Sequence, residues 1–97
     1  MRVRYAPRAR NDIARIHQYI TERNPKAATQ VVRKVRATGR SLGRHPRLGR
    51  QTQVPSIRVI GVARYPYLMY YRVGEGEVTI IHVRDGRRDV PTPDELR

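Results

Sequence analysis

Apolar and polar positions change their period along the chain. Arg2-Val3-Arg4-Tyr5 alternates with a period of two, the mark of a half-buried strand. From Pro7 to about Arg23 the apolar residues Ala9, Ile13, Ile16 and Ile20 recur at helical spacing and form one stripe, with Pro7 suited to the first helical position. Asn24-Pro25 restarts the pattern as a cap and an opening proline. The second stripe is Ala28, Val31, Val32, Val35 and Leu42. Gly39 is expected to let the two helices approach closely, and Gly43 to end the second one in a left-handed conformation before Pro46. A link this short makes the pair an antiparallel helical hairpin.

Residues from Arg44 to Pro55 are polar and interrupted by Pro46, Gly49 and Pro55, which predicts a loop. Three β-branched or aromatic runs follow: Ile57 to Ala63, Tyr67 to Val73 and Val78 to Val83. Gly74-Glu75-Gly76 is a hairpin turn between the last two, and Pro66 is confined to the connection between the first two. The tail after Asp89 is broken by prolines and predicts an extended or frayed end. The order is β-α-α-β-β-β, an α+β fold in which an antiparallel sheet carries the N-terminal helical hairpin on one face. The other face is expected to be open and available as a working surface. The single domain is expected over 1–91, with 92–97 as a short tail.

Composition narrows the function. The chain has 97 residues, room for one core. It has no cysteine, which excludes a disulfide framework, a thiolate zinc site and a cysteine nucleophile. No apolar run approaches the ~20 residues that span a bilayer, so no membrane partner is expected. The formal net charge is +13, and it is lopsided. Residues 1–50 carry 14 basic and 2 acidic side chains, and no acidic residue lies between Glu22 and Glu75. Arginine dominates the cations, and its planar fork pairs with phosphates and carboxylates. A solubility-driven surface is one account of this charge; a nucleic acid, a nucleoprotein machine or an acidic protein segment as partner is the other.

Several local strings, in this order and at these spacings, resemble the RelE/ParE superfamily of toxins from type II toxin–antitoxin systems. Tyr5-Ala6-Pro7-Arg8-Ala9 followed by Asp12-Ile13-Ala14-Arg15-Ile16 is similar to the family's strand-to-helix start. His45-Pro46-Arg47-Leu48-Gly49 resembles its helix-ending stretch, and Ile57-Arg58 opens the second strand in its manner. Tyr67-Leu68-Met69-Tyr70-Tyr71-Arg72-Val73 resembles its third strand, and Ile81-His82-Val83-Arg84-Asp85-Gly86-Arg87-Arg88-Asp89-Val90-Pro91 its closing motif. The resemblance implies a cytoplasmic, growth-inhibiting protein neutralised by a cognate antitoxin with an acidic C-terminal segment. It also implies operator DNA contact only through the antitoxin, and no cofactor or metal. Two targets share this fold: DNA gyrase in the ParE branch, and ribosome-bound mRNA, cleaved without a metal, in the RelE branch. Leu68 stands where the RelE pattern has a third-strand arginine, no tyrosine follows Tyr71, and Arg50 to Pro55 lacks the RelE lysine pair. The ParE branch is therefore favoured, although Asp85 replaces the usual histidine of the closing motif; a non-toxic nucleic-acid-binding protein is the third reading, which the arginine content allows but which leaves the ordered strings unexplained.

The candidate residues are few. Arg58, Arg64 and Arg72 alternate with apolar strand positions and are expected to form a basic stripe across the open sheet face. Tyr67 and the cluster Arg84, Arg87 and Arg88 are candidates for contact with the target or the antitoxin. For the three arginines, an ion-pair network with Asp85 and Asp89 is the competing account. If the protein is a nuclease, Arg64, Arg72, His82, Arg84 and Arg88 should converge on one site, with His82 as base. Ile81 and Val83 are expected to face the helices, which would turn His82 to the open side. Arg33, Lys34, Arg36 and Arg40 lie on the outer face of the second helix, either solvated or facing the target. No pair of histidines has metal-ligand spacing.

Overall fold

Alternation at the N-terminus gives strand β1 (Arg2–Tyr5), and the first helical stripe gives α1 (Pro7–Thr21). The computed structural model describes residues Met1–Arg97. Asn24 caps α2 (Pro25–Arg44), its side chain accepting from the Ala27 N–H at 3.1 Å. Short β2 (Arg50–Gln51) follows, then β3 (Ile57–Gly61), β4 (Tyr67–Val73), β5 (Glu77–Asp85) and a terminal turn of helix, α3 (Pro93–Leu96).

The sheet order is β1-β5-β4-β3-β2. The α+β class holds, and the sheet is mixed rather than wholly antiparallel: β1 pairs in parallel with β5, all other neighbours antiparallel. No hairpin joins β1 to β5, so turn geometry does not impose an antiparallel pair. β1 occupies one edge, and β2 and β3 lie towards the other.

Each sheet face has its own core. On one, α1 and α2 cover Met69, Tyr71, Val78, Ile80 and Val83 with Ala9, Ile13, Val31, Val35 and Leu42. On the other, Val54, Ile57, Val59 and Tyr70 cluster with Leu96 of α3. This second face is thus partly covered, and the tail is neither extended nor frayed. A capping box folds it: the Thr92 hydroxyl accepts the Glu95 N–H, and the Glu95 carboxylate accepts the Thr92 N–H. Leu96 then gains an apolar site on the sheet.

Two glycines act differently from expectation. A Cβ at Gly39 would collide with the Tyr5 hydroxyl, and one at Gly43 with Met1 O and a Val3 methyl, both 2.9 Å away. They admit β1 against α2 rather than helix against helix, and α2 runs through Gly43 to Arg44. Tyr71 pins the following loop: its hydroxyl donates to Pro46 O at 2.7 Å and accepts from Gly49 N–H at 2.9 Å. That clamp holds Arg50–Gln51 against β3, which adds β2 inside the predicted loop.

A β-bulge separates Tyr70, opposite His82, from Tyr71, opposite Ile80. The extra residue is Ile81. It packs with the second cluster, while Ile80 and Val83 face the helices. The bulge breaks strict alternation, which is why Ile81 does not share the helix-facing side with Val83.

Candidate functional site

β1 ends at Tyr5, opposite Ile80, so the outer edge of β5 has no strand beyond that point. α1 crosses there, and its Asp12 side chain takes the strand's place. Asp12 Oδ2 accepts the Val83 N–H at 3.0 Å and lies 3.4 Å from Arg84 Nε. Oδ1 accepts from Arg15 Nη2 at 2.6 Å. Asp12 is 2% exposed, and these donors compensate its buried charge.

Arg84 is the hub of this end of the sheet. Besides Asp12, its Nη1 donates to Asp89 Oδ1 at 3.0 Å. Nη2 donates to His82 Nδ1 at 3.2 Å and to Glu95 Oε2 at 3.5 Å. Burial alone would lower its pKa, but the charges of Asp12 and Asp89 outweigh that and raise it. Arg84 therefore joins α1, β5, the following turn and α3, and every nitrogen of its fork is engaged by the protein itself. Of the two accounts open for this cluster, the ion-pair network describes Arg84.

His82 is 2% exposed beneath α3. Its Nε2 lies 2.9 Å from the Glu95 carbonyl, which can only accept, so Nε2 carries the proton. Arg84 can only donate, so Nδ1 offers its lone pair. Both ring nitrogens are occupied, and Tyr70 meets the ring edge-on at 6.5 Å. His82 does lie on the face away from the helices, as expected, yet that side is closed over it.

The turn after β5 is built on Asp85. Its carboxylate accepts the Arg87 N–H at 2.9 Å and pairs with the Arg87 and Arg88 side chains at 3.2 and 3.8 Å. The Arg87 side-chain bond, then its backbone N–H, hold the Asp85 carboxyl below the usual range. Arg87 and Arg88 remain 64% and 68% exposed in their side chains. With Arg15, Ile16, Tyr19 and Tyr67 they line an open groove of ≈ 300 Å³ between α1 and the end of β5. It offers apolar and aromatic walls under a rim where the arginines outnumber the carboxylates of Asp12, Asp85 and Asp89, and burial raises the Tyr67 pKa.

The expected basic stripe does not form. Arg72 pairs with Ile57 and Arg58 with Tyr71, so the two arginines are one register position apart and point to opposite faces. Arg58 lies on the helical side, where it donates to Gly49 O at 2.7 Å. Arg64 sits in the β3–β4 turn at φ 72, a left-handed position. The five nuclease candidates do not converge: Arg84 pairs with Leu68, four positions and about 13 Å along β4 from Arg72, at ~3.3 Å per residue. Arg72 lines a shallow hollow with His82 and Leu96, on the α3 side, while Arg88 lies in the groove with Arg84.

Sequence reasoning passed over Asp12 and Glu95 as site residues. Asp12 carried a signal: in a chain with 8 acidic residues, one falls on the apolar stripe of α1 between Ala9 and Ile16. Glu95 carried a weaker one, the Thr92-Pro93-Asp94-Glu95 capping pattern.

Residues 3–90 match the family described as ParE toxin of type II toxin–antitoxin system, parDE. The chain is 30% identical over 90 residues to the putative toxin Y4kP of Sinorhizobium fredii, covering 93% of each. It is 28% identical over 83 residues to Toxin RelE3 of Caulobacter vibrioides, covering 84% of this chain and 90% of that one. The solved structure of a chromosomal ParDE system from P. aeruginosa shares the fold, with a TM-score of 0.78 at 22% identity over 88% of this chain and 95% of that one. No helix is long and apolar enough to cross a membrane.

Proposed function

The chain belongs to the ParE toxin family of type II toxin–antitoxin systems, and from that premise we propose that it arrests growth by binding and poisoning DNA gyrase rather than by cutting RNA. As a toxin of this type it has an antitoxin partner. The observation that carries the gyrase reading is the state of His82 and Arg84. A general base needs a free nitrogen within reach of the proton it takes, and a phosphate-stabilising arginine needs a free fork. Both His82 nitrogens are engaged, and Arg84 is spent on Asp12, Asp89, Glu95 and His82. Arg64 sits in the β3–β4 turn, and Arg72, though it shares a hollow with His82, lies four strand positions from the partner of Arg84. What is left accessible is a binding surface.

The groove of Arg15, Ile16, Tyr19, Tyr67, Arg87 and Arg88 is the place for the antitoxin's acidic, partly apolar segment. Its carboxylates meet the cationic rim, and its apolar side chains meet Ile16 and the two tyrosines. Induced expression in cells without antitoxin tests the target. Thymidine incorporation is expected to stop within minutes while methionine incorporation continues. If methionine incorporation stops first, ribosome-dependent mRNA cleavage replaces the gyrase reading.

A further inference from the structure

The charge that the groove does not use is concentrated on α2. Lys26, Arg33, Lys34, Arg36, Arg40 and Arg44 are all exposed on this one helix, and none takes part in any of the protein's salt bridges. Four of them form a row. Lys26, Arg33 and Arg40 are seven residues apart, an interval that returns to nearly the same azimuth, and Arg44 continues the row one turn on. The row runs about 27 Å at 1.5 Å per residue. It lies on the side of the helix opposite the buried residues Ala28, Val31, Val35 and Leu42.

Three properties separate this face from an ordinary solvated one. Like charges recur at Arg33–Arg36, Arg36–Arg40 and Arg40–Arg44, spacings at which they repel within a helix. No acidic residue between Glu22 and Glu75 relieves them. The helix beneath is held rigidly, because Gly39 and Gly43 seat it directly on Tyr5, Val3 and Met1. A row of unpaired cations spaced along one face of a single helix is matched by a repeating line of anions.

We propose that the outer face of α2 is a docking site for the phosphate backbone of duplex DNA, engaged through Lys26, Arg33, Arg40 and Arg44. An acidic polypeptide fits less well. A segment that orders on binding draws affinity from apolar burial, and exposed Gln30 and small, part-covered Ala37 between these cations provide no apolar pocket. A phosphate backbone requires only cations at fixed positions and carries no sequence information. The site goes beyond the gyrase reading and does not depend on it, because the contact is to DNA itself.

The test is an anisotropy titration of short labelled duplexes of two unrelated sequences with the full chain, at several salt concentrations and without gyrase. Lys26→Gln/Arg33→Gln/Arg40→Gln is expected to flatten the slope of log affinity against log salt by about 3, at roughly 0.9 per lost phosphate contact, equally on both sequences. Arg8→Gln/Arg50→Gln/Arg64→Gln removes the same charge away from α2 and is expected to leave most of the slope. Equal losses in the two variants would assign binding to net charge and overturn the proposal. So would an α2 variant that binds DNA as before, or one that loses only its affinity for a polyglutamate peptide. Circular dichroism checks that each variant folds; if the triple α2 variant does not, Arg33→Gln and Arg40→Gln singly are each expected to take about 1 from the slope.

Discussion

The Asp12 carboxylate on α1 accepts the backbone N–H of Val83 on β5 at 3.0 Å, standing in for the strand that β5 lacks beyond Ile80. The same carboxylate balances Arg84. Asp12→Ala strands a buried N–H and removes the innermost anion of the Arg84 network. A loss of about 3 kcal/mol of stability is expected in urea unfolding. Asp12→Asn keeps an oxygen for the N–H but not the charge, and should lose about half of that. Equal losses well under 1 kcal/mol would show that the edge does not need this carboxylate.

Tyr71 makes a comparable link towards the other edge of the sheet. Its hydroxyl ties Pro46 O and Gly49 N, and so fixes the path from α2 into β2. Tyr71→Phe keeps the ring in the core and removes both bonds, for an expected loss of about 1–2 kcal/mol. Amide hydrogen exchange should quicken at Gly49 and along Arg50–Gln51 more than in β4. Gly49→Ala tests the same spot by crowding, since a Cβ would lie 2.7 Å from both the Tyr71 hydroxyl and Val59 O. It is expected to cost about 1–3 kcal/mol. Unchanged exchange in Tyr71→Phe would mean that the loop is held by β2 pairing alone.

Local periodicity made β1, both helices and the three long strands legible, because each buries one face and repeats at its own period. The bulge at Ile81 was not legible. It depends on the β4–β5 register, and a slip of one residue inverts every side chain beyond it. The same limit explains the basic stripe: Arg58 and Arg72 each alternate correctly within their own strands, and only cross-strand pairing puts them on opposite faces. α3 was hidden by the prolines of the tail, one of which opens the helix. At the site, the Arg84-Asp85-Arg87-Arg88 run was visible because it is contiguous. Its buried counter-ion was not, because Asp12 lies 72 positions away in sequence from Arg84.

Acid should release the tail before it unfolds the main core. The Thr92 N–H, and after it the Arg84 charge, hold the Glu95 carboxyl below its usual range. Asp85 is held down as well, chiefly by Arg87. A carboxyl whose pKa is lower in the fold than in the unfolded chain lends stability above its unfolded value, near 4. That contribution disappears as pH falls through the lower folded value. Methyl NMR should therefore show Leu96 leaving its site on the sheet below about pH 4, while Val35 in the helix-side core keeps its native shift. Leu96 and Val35 changing together, or Leu96 detaching above the ordinary carboxylate range, would argue against the capping box as the latch.

The groove beside Arg84 separates side chains that hold the fold from side chains free to bind. Arg84 has a buried partner; Arg87 and Arg88 pair only with Asp85 and keep most of their surface in water. Arg87→Gln/Arg88→Gln should lower the melting temperature only slightly, because exposed pairs such as those with Asp85 add little to stability. Its affinity for the acidic antitoxin segment should fall about tenfold, mainly through slower association, because exposed charges act by steering. The salt dependence of binding should weaken in parallel. Arg84→Lys makes the opposite prediction: the charge stays, a single ammonium cannot span the same partners, and stability falls while steering persists. Surface-plasmon association rates across a salt series, set beside thermal melts, distinguish the two. If Arg87→Gln/Arg88→Gln binds with wild-type rate and salt dependence, the antitoxin does not enter by this groove.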